Sequence, residues 1–124
     1  TADMHRPRLK GTARRAVVPA NTTLAVIATD AALTKAQAKR LAIMADDGIA
    51  RAIRPAHAPM DGDTVFAVAT QRLPLRDAMA DLTALGAAAG DCLERSIARA
   101  VYEATNPGPP YKGPPAHRDM FLRR

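Results

Sequence analysis

Two places in this chain bring together residue types that do chemistry. The first is Asn21-Thr22, where a polar, basic stretch meets the β-branched and apolar run Thr22-Thr23-Leu24-Ala25-Val26-Ile27-Ala28-Thr29. A threonine hydroxyl is a weak nucleophile, but a threonine that becomes a chain terminus gains a free α-amine of pKa about 7.7–8.0, suited to take the hydroxyl proton. Cleavage behind Asn21 would create nucleophile and base in one residue; read more plainly, Thr22 only begins a strand. The second place is Asp61-Gly62-Asp63, just ahead of another apolar run. Two carboxylates so close can orient a nucleophile, hold its ammonium group, or share a proton with one pKa raised. Gly62 lets the backbone turn between them, and Asp-Gly is equally the mark of a simple polar turn.

The other reactive side chains carry less. His57, in the loop before Asp61, reads as an exposed loop histidine rather than a general base. His5 and His117 lie in the tails, so a three-histidine metal site would require the ends to fold back, and neither a metal nor a cofactor is expected. Cys92 falls on an apolar helical face and reads as core. Ser96 lacks the Gly-x-Ser-x-Gly setting of a serine-hydrolase elbow. Thr1 is a rival terminal nucleophile, but Ala2-Asp3-Met4 does not continue as a buried strand.

These residues need elements to position them. Residues 1–21 are basic and interrupted by Pro7, Gly11 and Pro19, as expected of a linker. The run from Thr22 is apolar on both faces, which predicts a strand in a sheet covered on both sides. Thr34 and Gln37 have capping-box spacing, and Leu41, Met44, Ala45, Gly48, Ile49 and Ala52 then recur at helical steps until Pro55 forces an end near Arg54. Thr64 to Thr70 reads as a second buried strand. From Leu75 almost to Asn106 the apolar spacing is helical, with Gly86 and Gly90 marking either close helix packing or a break. The segment Asn106–Pro115 is too rich in Pro and Gly for anything but extended tail. The predicted order is β-α-β-α over 22–106, between a basic segment 1–21 and a Pro/Gly-rich basic tail 107–124. Two strands make a marginal sheet, so a further segment is expected to complete it.

Composition narrows the function classes. The net charge of +6 resides in the flanks: residues 1–21 hold five Lys/Arg against one acid, residues 111–124 four against one, and the body is close to neutral. With only 3% aromatic residues, these flanks read as solvated tails, and no nucleic-acid partner is expected. The single cysteine excludes an internal disulfide and fits a reducing compartment, hence an expected cytoplasmic location. No stretch approaches the ~20 apolar residues of a membrane span, so no membrane partner is expected. The absence of an initiator Met suggests a processed piece of a longer chain.

Residues 21–70, from NTTLAVIATD to DGDTVFAVAT, resemble the family of L-aminopeptidase/D-esterases, β-aminopeptidases and nylon-oligomer hydrolases, with a looser likeness to about residue 106. The resemblance implies an N-terminal-nucleophile-type amide hydrolase made as one precursor that cuts itself into a large and a small subunit. Asn21 would end the large subunit, and Thr22 would begin the small one as its nucleophile. The aminopeptidase branch uses Ser and lacks the paired aspartates, so Thr22 with Asp61 and Asp63 looks more like the nylon-hydrolase branch. Also implied are a four-layer αββα architecture completed by the large segment, assembly as homo-oligomers, oxyanion donors in the large subunit, and small peptides, β-peptides or linear amide oligomers as substrates.

Overall fold

The computed structural model describes residues 22–121, which form β1 (Leu24–Ala31), α1 (Lys35–Ala52), β2 (Thr64–Leu73), α2 (Ala78–Glu103) and α3 (His117–Phe121). The expected β-α-β-α order is present as a small α+β unit. Asn21, Thr1, His5 and the basic segment lie outside the described residues.

β1 and β2 pair in parallel from Leu24↔Thr64 through Thr29↔Ala69. Parallel pairing needs a crossover, and α1 supplies it. Past Thr29 the register slips so that Ala31 meets Leu73; there Gln71 has φ 63°, and its Nε2 donates to the Leu33 carbonyl at 2.8 Å. Helix α1 begins as expected: Thr34 Oγ1 accepts the Gln37 N–H, while Gln37 Oε1 accepts the Thr34 N–H at 2.8 Å. Asp77 caps α2 by accepting the N–H groups of Met79 and Ala80.

The two helices pack against each other and against one face of the sheet. Leu41 and Ile49 are fully buried there, each contributing about 1.5–3 kcal/mol of hydrophobic stabilisation. The alternative left open by Gly86 and Gly90 resolves toward close packing, because α2 runs unbroken past both. A Cβ on Gly48 would run into the Gly90 carbonyl oxygen, and one on Gly86 into Met44. The glycines let backbones approach where a side chain would hold them apart.

Three expectations are corrected. Both strands are apolar on both faces, yet helices cover only one: Leu24, Val26, Phe66 and Val68 line the other face at 50% to 70% exposure. Cys92 is exposed, on the flank of α2 that borders a groove of about 660 Å³ along the free edge of β1. Helical periodicity identifies an apolar face without saying how much of it is covered. The Pro-rich segment is irregular as expected, but Pro and Gly stop at Pro115, and α3 forms beyond it. Arg118 fastens α3 to the end of α2, donating to the Tyr102 carbonyl at 3.1 Å, pairing with Glu103 and lying over the Tyr102 ring. Among the described residues no helix is long and apolar enough to cross a membrane.

Candidate active site

Continued two residues toward the amino ends, the β1–β2 register sets Thr23 beside Asp63 and Thr22 beside Gly62. The contacts agree. The Thr64 N–H donates to the Thr23 carbonyl at 2.9 Å, and Asp63 Oδ1 accepts the Thr23 N–H at 2.8 Å. Thr22 Oγ1 lies 2.8 Å from the position a Cβ on Gly62 would take, closer than a real side chain tolerates. Glycine at 62 therefore leaves the space that the Thr22 hydroxyl uses. Thr22 itself is exposed. The crossover thus brings both sequence candidates, Thr22 and Asp61-Gly62-Asp63, to one edge of the sheet.

The two aspartates differ in what they hold. Asp61 closes its own loop: its Oδ2 accepts the Ala58 N–H and its N–H donates to the Ala58 carbonyl, both at 2.8 Å. Asp63 faces inward, its side chain 8% exposed. Burial pushes its pKa up, but hydrogen bonds from the Thr23 N–H and hydroxyl and from the His57 backbone N–H, with the electrostatic attraction of the nearby imidazole, outweigh burial and hold it below the ordinary 3.8. At neutral pH Asp63 is thus an oriented anion bound to the residue that follows Thr22.

His57 is an exposed loop residue, as its sequence reading has it, but it does not stand alone. Its side chain is partly exposed, but carboxylates stand at both ring nitrogens: Asp63 Oδ2 is 3.2 Å from Nδ1, and Asp46 Oδ2 is 3.5 Å from Nε2. Its backbone lies in the left-handed region at φ 56°, where His, Asp and Asn are the commoner non-glycine residues. Sequence reasoning missed this because Asp46 belongs to the polar face of α1, and only the fold brings that face over the loop. The carboxylates sit on opposite sides of the ring and do not converge. Among the described residues no group of three His, Cys, Asp or Glu side chains is placed to hold a metal ion. His117 packs between the rings of Tyr102 and Phe121 and takes no part in the cluster, nor do Cys92 and Ser96 on α2.

An exposed hydroxyl at a strand's start, with space cleared beside it and a buried carboxylate fixing the next peptide unit, is suited to nucleophilic chemistry at the amino end of a segment. The family model of peptidase family S58 matches residues 3–109, and the chain belongs to that family, which includes the L-aminopeptidase/D-esterases. Uncharacterized aminopeptidases of Mycobacterium tuberculosis and Mycobacterium bovis are each 50% identical to it over 113 residues, covering 83% of this chain and 32% of theirs. A counterpart from Mycobacterium leprae is 45% identical over 112 residues, covering 82% of this chain and 30% of its own. The chain spans about a third of the length of these relatives.

Proposed function

We propose that this chain is the nucleophile-bearing segment of a self-processing peptidase or amidase, with Thr22 as the residue that becomes the catalytic amino terminus. The observation that carries the reading is the meeting of Thr22 Oγ1 with the space left by Gly62, beside the buried Asp63 carboxylate that holds the Thr23 N–H. In the precursor, Thr22 Oγ attacks the Asn21 carbonyl carbon and the acyl group moves from nitrogen to oxygen. Water then hydrolyses the ester, releasing the Asn21 carboxylate and the free α-amine of Thr22. In the mature enzyme that amine takes the hydroxyl proton as Oγ attacks a substrate amide and passes it to the amine expelled when the C–N bond breaks; water then hydrolyses the acyl-enzyme ester, releasing the acid and restoring the Thr22 hydroxyl. Asp63 orients the peptide that carries the nucleophile and offers negative charge to its ammonium form; Asp61 holds the loop that brings Gly62 and Asp63 to it.

The bare sheet face and the groove along β1 support a large partner segment from the same precursor. Parallel sheets are normally buried on both faces, and Leu24, Val26, Phe66 and Val68 have the composition of an inner face. A strand laid along the free edge of β1 and a second sheet against this face would complete a four-layer αββα fold. On this reading, substrate selection and the oxyanion donors belong to that segment. The candidate substrates remain small peptides, β-peptides or linear amide oligomers.

Incubation of the full-length precursor followed by intact-mass measurement tests the proposal. Two fragments that meet at Asn21/Thr22, with Thr22→Ala remaining whole, are expected. An uncut chain after long incubation, indistinguishable from Thr22→Ala, would mark a non-catalytic assembly module instead. Comparing amino-acid amides, β-peptides and aminohexanoate oligomers then assigns the substrate class.

A further inference from the structure

The cluster around His57 reaches further than the pair of aspartates. Asp63 has both carboxylate oxygens engaged, Oδ1 by the Thr23 N–H at 2.8 Å and Oδ2 by His57 Nδ1 at 3.2 Å, so the carboxylate cannot turn without losing one of them. The opposite ring nitrogen of His57 faces Asp46 on α1 at 3.5 Å. Thus a line of polar side chains runs from Asp46 on α1, through His57 in the loop, to Asp63 and the peptide unit that follows Thr22. The backbone at His57 is left-handed, at φ 56°, a conformation that few side chains occupy without strain.

We propose that His57 is a positioning residue for the Thr22 centre, anchored by Asp46 and acting through Asp63; this rests on the reading of Thr22 as nucleophile. It does not act as the base. Carboxylates face both of its nitrogens, so neither is directed at the Thr22 hydroxyl, and the α-amine keeps that task. Among the described residues, the charged groups in contact with the ring are Asp46 from α1 and Asp63 from the end of the loop. The imidazole fixes the direction of Asp63, and through it the approach of the nucleophile to its target carbonyl. Small errors in such an approach are costly to rate and nearly indifferent to substrate affinity.

The test uses the full-length enzyme and compares kcat with KM. His57→Gly keeps the left-handed backbone accessible and removes the ring; His57→Asn also suits that backbone and returns an N–H donor at the position of Nδ1. The expected result is a loss of about tenfold or more in kcat and in precursor cleavage for His57→Gly, with KM little changed. Most of the loss should be recovered in His57→Asn. Asp46→Asn, on the polar side of α1 and outside the core, should show a smaller fall in kcat, again without a KM change; this variant decides the matter if His57→Gly does not fold. Normal kcat in Asp46→Asn, or His57→Asn no better than His57→Gly, overturns the proposal. Thr22→Ala separates the two readings. If it is dead while His57→Gly turns over normally, the nucleophile stands and the positioning role falls; if it is active, both fall.

Discussion

The helix-covered face of the sheet and its amino-terminal edge are built by opposite means. The covered face is held by Leu41, Ala45, Ile49, Ala89 and Leu93, with Gly48, Gly86 and Gly90 letting the helices close; no polar or charged residue among those described is buried as a whole. The edge is held by directed polar contacts, from Asp63 to Thr23, from Asp61 to Ala58, and from His57 to two carboxylates, around a hydroxyl left exposed. Burial tolerates small shifts because it has no direction, whereas the contacts at the edge fail when one oxygen moves. On the proposed function, stability and chemistry draw on different parts of the same β-α-β unit, and substitutions should separate them.

The largest expected effect is on the covered face. Gly48→Ala sets a Cβ against the Gly90 carbonyl oxygen, which is backbone and cannot swing aside. The helices must separate, at a cost of about 1–3 kcal/mol, read as a lower denaturation midpoint of the full-length protein. Gly62→Ala makes the matching test at the edge, because its Cβ would meet Thr22 Oγ1 at 2.8 Å. Turnover and self-cleavage should fall by about tenfold or more while the midpoint barely changes. A large stability loss with normal turnover would erase the contrast between the two regions.

Asp61→Asn and Asp63→Asn should each slow cleavage or turnover by about tenfold; near-normal rates in both would reduce them to turn residues. Asp63 also makes a pH prediction. Its pKa is lower in the fold than the ordinary 3.8, so its contribution to stability is complete above that value and is lost as pH falls through the lower folded value. NMR titration of the Asp63 carboxyl carbon should show its midpoint below 3.8, and a midpoint above it would mean that burial wins over the Thr23 and His57 contacts. The smallest effect concerns neither region: Thr34→Ala removes the capping box of α1 and should cost about 1 kcal/mol with kcat unchanged.

Much of this was legible in the sequence for physical reasons. Capping-box spacing and the helical recurrence of Leu41, Ala45 and Ile49 are local signals, and α1 follows them. The β-branched runs after Asn21 and Asp63 are also local and both form strands, while their two-faced apolarity is met by helices on one face only. What could not be read locally was the register. The pairing of Leu24 with Thr64 is what seats Thr22 beside Gly62 and Thr23 beside Asp63, and it joins residues 40 positions apart. The carboxylates beside the exposed His57 were not legible for the same reason, since Asp46 reaches the loop only through the fold. Cys92 shows the converse: an apolar helix face was recognised, but its coverage depends on what lies along β1.

The most direct test of Thr22 as nucleophile is the first residue of the mature small fragment. Edman sequencing of that fragment from active full-length enzyme should start Thr-Thr-Leu-Ala, at Thr22, and Thr22→Ala should yield no such fragment. A different first residue in active enzyme, or unimpaired activity in Thr22→Ala, would contradict it.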